Sequence, residues 1–331
     1  MSSSLNAGNG HGRVPAEILQ IQFPGRAEPR ALHMRRRPVW PALVLFLLTV
    51  LSTLAVGAEF AQSYAQSREP FSGDQNPFAM MLIPFEHPQL LLLGIPFSFT
   101  LLTILFAHEM GHYVACRIYR IDVSYPYFIP APTLFGTFGA FIRIRSPITT
   151  RRALFDVGLS GPVMGFLIAV PAMAFAVATS KVVPGVDQGA PILFGNPPLT
   201  RLFVALFHPH VNPSWVLLNP MGRAAWVGFF ATALNLLPLW QLDGGHIVYS
   251  LASRFHRRIS LVLAAVLLVL GRYAWSGWYL WGGLLLALTL RFRHPPVYDE
   301  WEPLDRSRRV WAVVALAIFL LCFTPWPATV A

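Results

Sequence analysis

The sequence predicts an all-α polytopic membrane protein of about seven transmembrane helices, and three observations carry that prediction. Only 12% of the 331 residues are charged, where a soluble domain carries about a quarter. The mean hydropathy is +0.52. The apolar residues also fall in stretches of about twenty, the length that spans a bilayer as a helix. With 29 prolines and 24 glycines, many of these stretches are expected to be short, kinked or joined by shaped turns.

Residues 1–38 are polar and rich in Ser, Gly, Asn and Arg, which predicts a flexible cytoplasmic tail. Arg35-Arg36-Arg37 ahead of an apolar run, with Val56-Gly57-Ala58 after it, imitates a signal peptide. The polar lead is too long for that role, so the run reads as an uncleaved first span. Residues 39–326 are expected to form one transmembrane domain, with spans near 40–60, 88–116, 156–179, 222–241, 258–271, 275–290 and 309–326. The fifth and sixth are short and should make a tight helical hairpin around Arg272 to Gly277. Arginines set the orientation. With a cytoplasmic N-terminus, Arg117, Arg120, Arg143, Arg145, Arg151, Arg152, Arg254, Arg257, Arg258, Arg291, Arg293, Arg306, Arg308 and Arg309 all fall on the cytoplasmic side. Arg68, Lys181, Arg201, Arg223 and Arg272 fall opposite, and seven spans place the C-terminus outside. The same placement at the ends of apolar runs argues against nucleic acid as a partner despite the net charge of +10. Cys116 and Cys322 lie far apart in apolar segments, so neither a disulfide framework nor a cysteine metal cluster is expected.

His108-Glu109-Met110-Gly111-His112 lies inside the second apolar run. Residues four apart share a helix face, so both histidines point one way with a glutamate beside them. Ionisable groups at membrane depth are costly and mark function by default. The spacing is that of a zinc site with an adjacent general base. The second span runs outside to inside and ends near Arg117, which puts His112 roughly 7 Å and His108 roughly 13 Å inside that end.

A catalytic zinc takes three protein ligands and keeps one position open. After Glu109 the chain has no glutamate until Glu300, and position 118, where a third histidine could follow, is Ile118. Asp122 and Asp156 border basic loops and are expected to be solvated or paired with arginine, and Asp187 lies in a polar outside loop. Asp243 closes the fourth span, which also runs outside to inside, and so reaches a similar depth. Taken alone it could equally cap a helix at the Gly244-Gly245 break; beside HEMGH, ligation is the favoured reading.

With these motifs the chain resembles the site-2 protease family of intramembrane zinc metalloproteases, peptidase family M50. HEMGH and the stretch Asn235-Leu236-Leu237-Pro238-Leu239-Trp240-Gln241-Leu242-Asp243-Gly244 carry the resemblance, with Gly161-Pro162-Val163-Met164-Gly165 as a weaker element. It covers about residues 88–258, the expected catalytic core. The resemblance implies one Zn2+ per chain held by His108, His112 and Asp243, with Glu109 as the catalytic base. It also implies a re-entrant β-type segment over Leu134–Ile144 and a substrate-holding role for Asn235. Residues 180–221 are too few for the PDZ domain that some members carry there, so the chain is most like the branch without one, found in bacteria and plastids. A bacterial inner (plasma) membrane location follows as an expectation.

The implied substrate is a transmembrane protein reached through membrane lipid. Its helix hides its carbonyls in internal hydrogen bonds, so it must unwind and be held as a strand. Gly136, Thr137, Phe138 and Gly139 suit such an edge, although the same stretch would also serve as a structural hairpin plugging the cavity. His246 reads as a supporting residue, and His208, His210, His256 and His294 read as surface. Trp275, Trp278, Tyr279 and Trp281 read as an interfacial belt. The rival function is a metal-ion transporter or channel using the His/Asp cluster, which would favour internal repeats; none is visible.

Overall fold

A computed structural model describes residues 38–72, 87–188, 190, 192–299 and 303–330. The N-terminal tail expected over 1–38 lies almost wholly outside the described residues. Helix α1 is Trp40–Ala65. A 3-10 turn, Pro88–Gly94, runs straight into α2, Ile95–Ile118. Strands β1 (Tyr127–Pro130) and β2 (Thr137–Phe141) follow, then α3, Arg151–Thr179. These three helical stretches are the ones, among the described residues, long and apolar enough to cross a membrane.

The expected fourth to seventh segments also fold as helices with shifted bounds. They are α5, Pro220–Asn235, α6, Asp243–Tyr273, α7, Gly277–Arg291, and α8, Arg306–Cys322. The fourth ends six residues early. Pro238 offers no N–H and bars the residue before it from helical geometry, so residues 236–242 form a loop. The fifth begins well before 258 and bends at Ala252, whose φ of −149° and ψ of 63° leave the helical region. The 180–221 segment, expected to be a loop, holds small pieces of secondary structure. They are β3 (Lys181–Val182), β4 (Ile192–Phe194), α4 (Pro198–Phe207) and β5 (Val216–Leu217). β3 pairs with β5, and β4 pairs with β6 (Ala328–Val330) near the C-terminus.

The core lies between α2, α3 and α5, where Phe97, Leu101, Ile104, Phe155, Met173 and Phe229 are buried together. Side-chain caps start the helices that bound it. Thr150 accepts from the Ala153 N–H at α3 and Asn219 from the Gly222 N–H at α5, each satisfying an orphan donor of a first turn. One aromatic expectation is corrected. Trp278 is only 1% exposed and its indole N–H donates to the Pro325 carbonyl at 2.7 Å. It is a core residue joining α7 to the C-terminal segment, not part of an interfacial belt.

The β-type segment is a hairpin. β2 pairs antiparallel with β1, with a bulge between Ile129 and Pro130. It is fastened to α1 by Ser52, whose hydroxyl donates to the Gly136 carbonyl at 2.6 Å, and by an edge-on contact of Phe46 with Phe128.

Candidate metal centre

α2 places His108 and His112 on one face by its 3.6-residue turn, both buried, and α6 brings Asp243 to them from its first turn. His108 Nε2 lies 3.3 Å from Asp243 Oδ2, and His112 Nε2 lies 3.4 Å from Asp243 Oδ1. The two Nε2 atoms are 3.1 Å apart. Four zinc ligands at about 2.0–2.1 Å in a tetrahedron are separated by about 3.3 Å, so these three side chains already have the spacing of one face of such a site. Among the described residues they form the one His/Cys/Asp/Glu group able to hold a metal ion. Leu242, not Asp243, occupies the N-cap position of α6, and both Asp243 carboxylate oxygens face the two histidines.

The electronic arrangement also fits a cation. His112 Nδ1 lies 2.7 Å from the Val157 carbonyl. A carbonyl can only accept, so Nδ1 carries the proton and the neutral ring presents the Nε2 lone pair to the group. Lone pairs and carboxylate oxygens converging this closely repel one another until a cation or a proton lies between them.

The weak Gly161-Pro162 element acquires a physical role here. A Cβ on Gly161 would come within 2.1 Å of His112 Nε2, and one on Gly165 within 3.2 Å of the His108 Cβ. Gly158, Gly161 and Gly165 fall at helical spacing, so one face of α3 is bare; the histidine face of α2 lies against Gly161 and Gly165, and the start of α6, at Asp243 and His246, lies against Gly158.

The other expected site residues divide into two places. Glu109 is buried next to the group, one residue after His108 on α2. Asn235, the last residue of α5, has Nδ2 3.2 Å from His108 Nε2. Gly136, Thr137, Phe138 and Gly139 lie on the hairpin. Thr137 is buried, with its hydroxyl donating to the Ile129 carbonyl at 2.7 Å and its Oγ1 accepting from the Gly139 N–H at 2.9 Å. Phe138 is 73% exposed. Gly136 and Gly139 have φ of 76° and 103°, a region open mainly to glycine.

Two expectations about histidines are corrected. His256 is buried, 4% exposed, on α6 just past its kink at Ala252. His294 is half-buried and stacks on Tyr249 with ring centres 3.9 Å apart. His246 turns to His294, Nδ1 to Nε2 at 2.9 Å, and stays out of the metal group. Of the two alternatives expected for Asp156, solvation or pairing with arginine, the structure takes the pair. Arg308 reaches it at 2.6 Å, and the Tyr119 hydroxyl donates to it. The supporting atoms missed from sequence were the Val157 carbonyl and the bare α3 face. The 158–161–165 glycine spacing was the available signal for the latter.

A family model described as peptidase family M50 matches residues 96–272, which include every one of the expected metal ligands, Glu109 and Asn235. The probable zinc metalloprotease EGY1, chloroplastic, of Arabidopsis thaliana is 28% identical over 294 residues, covering 86% of this chain and 52% of its own length. The protein of the same name from Oryza sativa subsp. japonica is 27% identical over 298 residues, with 86% and 50% covered. The probable zinc metalloprotease EGY2, chloroplastic, of Arabidopsis thaliana is 26% identical over 255 residues, with 75% and 44% covered. The chain thus spans about half the length of the curated relatives it matches.

Proposed function

The chain belongs to peptidase family M50, and on that premise we propose that it is a zinc metalloprotease that hydrolyses peptide bonds in or near transmembrane segments of membrane-protein substrates. The observation that carries the reading is the meeting of His108 and His112 from α2 with Asp243 from α6 beside a buried Glu109. His108, His112 and Asp243 would hold Zn2+, which when bound supplies Lewis-acid polarisation and acidifies water.

The remaining steps belong to the chain's own groups. The Glu109 carboxylate takes the proton of the attacking water and returns it to the leaving amine. Asn235 Nδ2, at the rim of the ligand group, donates to the carbonyl oxygen as charge develops on it. β2 is paired on one edge by β1. Along its length Gly139 leaves open space where a Cβ would lie, so an extended substrate backbone can approach and add as a strand. Regulated intramembrane proteolysis is the corresponding cellular role.

The finer membrane reading is part of the same proposal. It comprises seven spans, a cytoplasmic N-terminus, a catalytic core near 88–258 with direct lipid contact, and a bacterial inner membrane location. Three long apolar helices and the arginine bias support it. The relatives are named chloroplastic. The test is zinc content and cleavage of a helical membrane substrate by wild type, Glu109→Gln and Asp243→Ala. The expected outcome is about one zinc per wild-type chain, retained with cleavage abolished in Glu109→Gln, and lost in Asp243→Ala. Cleavage by Glu109→Gln, or undiminished zinc in Asp243→Ala, would sink the assignment.

A further inference from the structure

A separate cleft opens where the first half of α6 meets the end of α7. It has a volume of about 370 Å³, and Trp240, His256, Arg257, Thr289, Arg293 and His294 are among the residues lining it. Three of these carry a buried polar atom with no hydrogen-bond partner among the described residues: Trp240 Nε1, His256 Nε2 and Thr289 Oγ1. His256 and Thr289 are 4% and 3% exposed. Buried polar groups are almost always satisfied, and an unsatisfied one costs about 1–3 kcal/mol. Three around one cleft mark a place for a polar ligand.

The chemistry of the lining narrows that ligand. The indole N–H of Trp240 can only donate, and the Thr289 hydroxyl can donate or accept. Arg257 and Arg293 are exposed at the cleft, and neither forms an ion pair among the described residues. Two guanidinium groups with neutral donors beneath them select an anion, and guanidinium geometry matches phosphate in particular. His256 adds the opposite preference. Its buried Nε2 has no partner, and a neutral ring protonated on Nδ1 offers that atom as an acceptor. A second metal does not fit, because His246 and His294 bind each other and the His294 Nδ1–H is spent on the Pro295 carbonyl.

We propose that this cleft binds a phosphate ester carrying a free hydroxyl, with the phosphate on Arg257, Arg293, Trp240 and Thr289 and the hydroxyl donating to His256 Nε2. The same chemistry is offered by a glycerol-type phospholipid headgroup and by a soluble glycerol phosphate. Calorimetric titration of the full chain in neutral detergent separates them. The probes are dihexanoyl phosphatidylglycerol, glycerol 3-phosphate and, as a choline-headed comparison lacking the hydroxyl, dihexanoyl phosphatidylcholine.

Saturable binding of one equivalent of phosphatidylglycerol alone supports the lipid source, and binding of glycerol 3-phosphate supports the soluble one. In either case phosphatidylcholine binds at least about tenfold more weakly. Combining Arg257→Gln with Arg293→Gln should weaken binding about a hundredfold, and Thr289→Val about tenfold. Both changes leave zinc content and cleavage as in the wild type. Failure of both hydroxylated phosphates to bind, binding unchanged in the arginine pair, or equal binding of phosphatidylcholine overturns the proposal. Thr289→Val supplies an independent check. In an empty cleft, removing an unpartnered buried hydroxyl leaves the melting temperature unchanged or raises it, and no probe then shifts the wild type.

Discussion

His112 is held by what its neighbours lack as much as by what they offer. The Val157 carbonyl fixes its tautomer, and Gly161 leaves the space its ring fills. Gly161→Ala sets a Cβ 2.1 Å from Nε2, so the ring must leave the ligand group. Zinc affinity, read by competition with a chelating dye, should fall about 10–100-fold, as it does when an outer support of a ligand is lost. Gly139→Ala, whose Cβ meets open space, should bind zinc as the wild type does. A second expectation concerns His294, in the loop after α7. Burial, with His256 close by, pushes its pKa down to about 4. The unfolded chain protonates this group below about pH 6.5, while the folded chain resists until about pH 4. Stability is therefore lost as pH falls through that window and levels off below it. Melting curves between pH 7.5 and 4 should show a shallower decline for His294→Asn than for wild type; identical slopes would refute the assignment. Of these residues, the pair in HEMGH was legible because i and i+4 share a face locally. The Val157 carbonyl was not, since any backbone could have supplied it and only the packing of α3 on α2 selects this one.

The helices show why hydropathy located elements better than their ends. Arg254, Arg257 and Arg258 interrupt the apolar pattern, so hydropathy starts the fifth segment only at 258. The backbone is nevertheless helical from Asp243 onward on both sides of a kink at Ala252. Likewise Trp278 was legible as aromatic but not as buried, because its partner Pro325 lies on a distant segment. The joint between α2, α3 and α8 was legible in part, since an arginine partner was one of two readings of Asp156, though not which arginine. Arg308 binds Asp156 at 2.9 and 2.6 Å through Nε and Nη2, reaches the Tyr119 hydroxyl at 3.1 Å, and pairs with Asp305 at 2.5 Å. Desolvation and the Asp156 carboxylate together hold the Tyr119 phenol above its usual range. Arg308→Met strands a half-buried carboxylate against a phenol and should destabilise the chain by about 1–3 kcal/mol. Adding Asp156→Asn should recover part of that loss, because the stranded charge is then removed. A thermal-melt cycle of the two substitutions reads the coupling, and strict additivity would show that the pair does not fasten α8 to α3.

At the scale of the whole molecule, the arginine asymmetry and the position of the metal group make one joint claim. α2 ends at Ile118 and α3 begins at Arg151, so the ligand group, the hairpin and the 143–152 basic stretch lie at one end of these two helices. The turn between α6 and α7 lies at the far end of its own pair. If α6 and α7 span the bilayer as proposed, Arg145 faces the cytoplasm and Ser276 faces out. Both native cysteines are buried, so the unaltered chain should react little with a membrane-impermeant maleimide. Ser276→Cys should then label in intact cells, and Arg145→Cys only after the membrane is opened. Labelling of Arg145→Cys from outside would invert the protein and place the ligand group beneath the outer interface. Protection of Ser276→Cys on both sides would mean that α6 and α7 do not cross. The experiment therefore tests the span count and the sidedness at once, and with them the side of the membrane from which water and the unwound substrate reach Glu109.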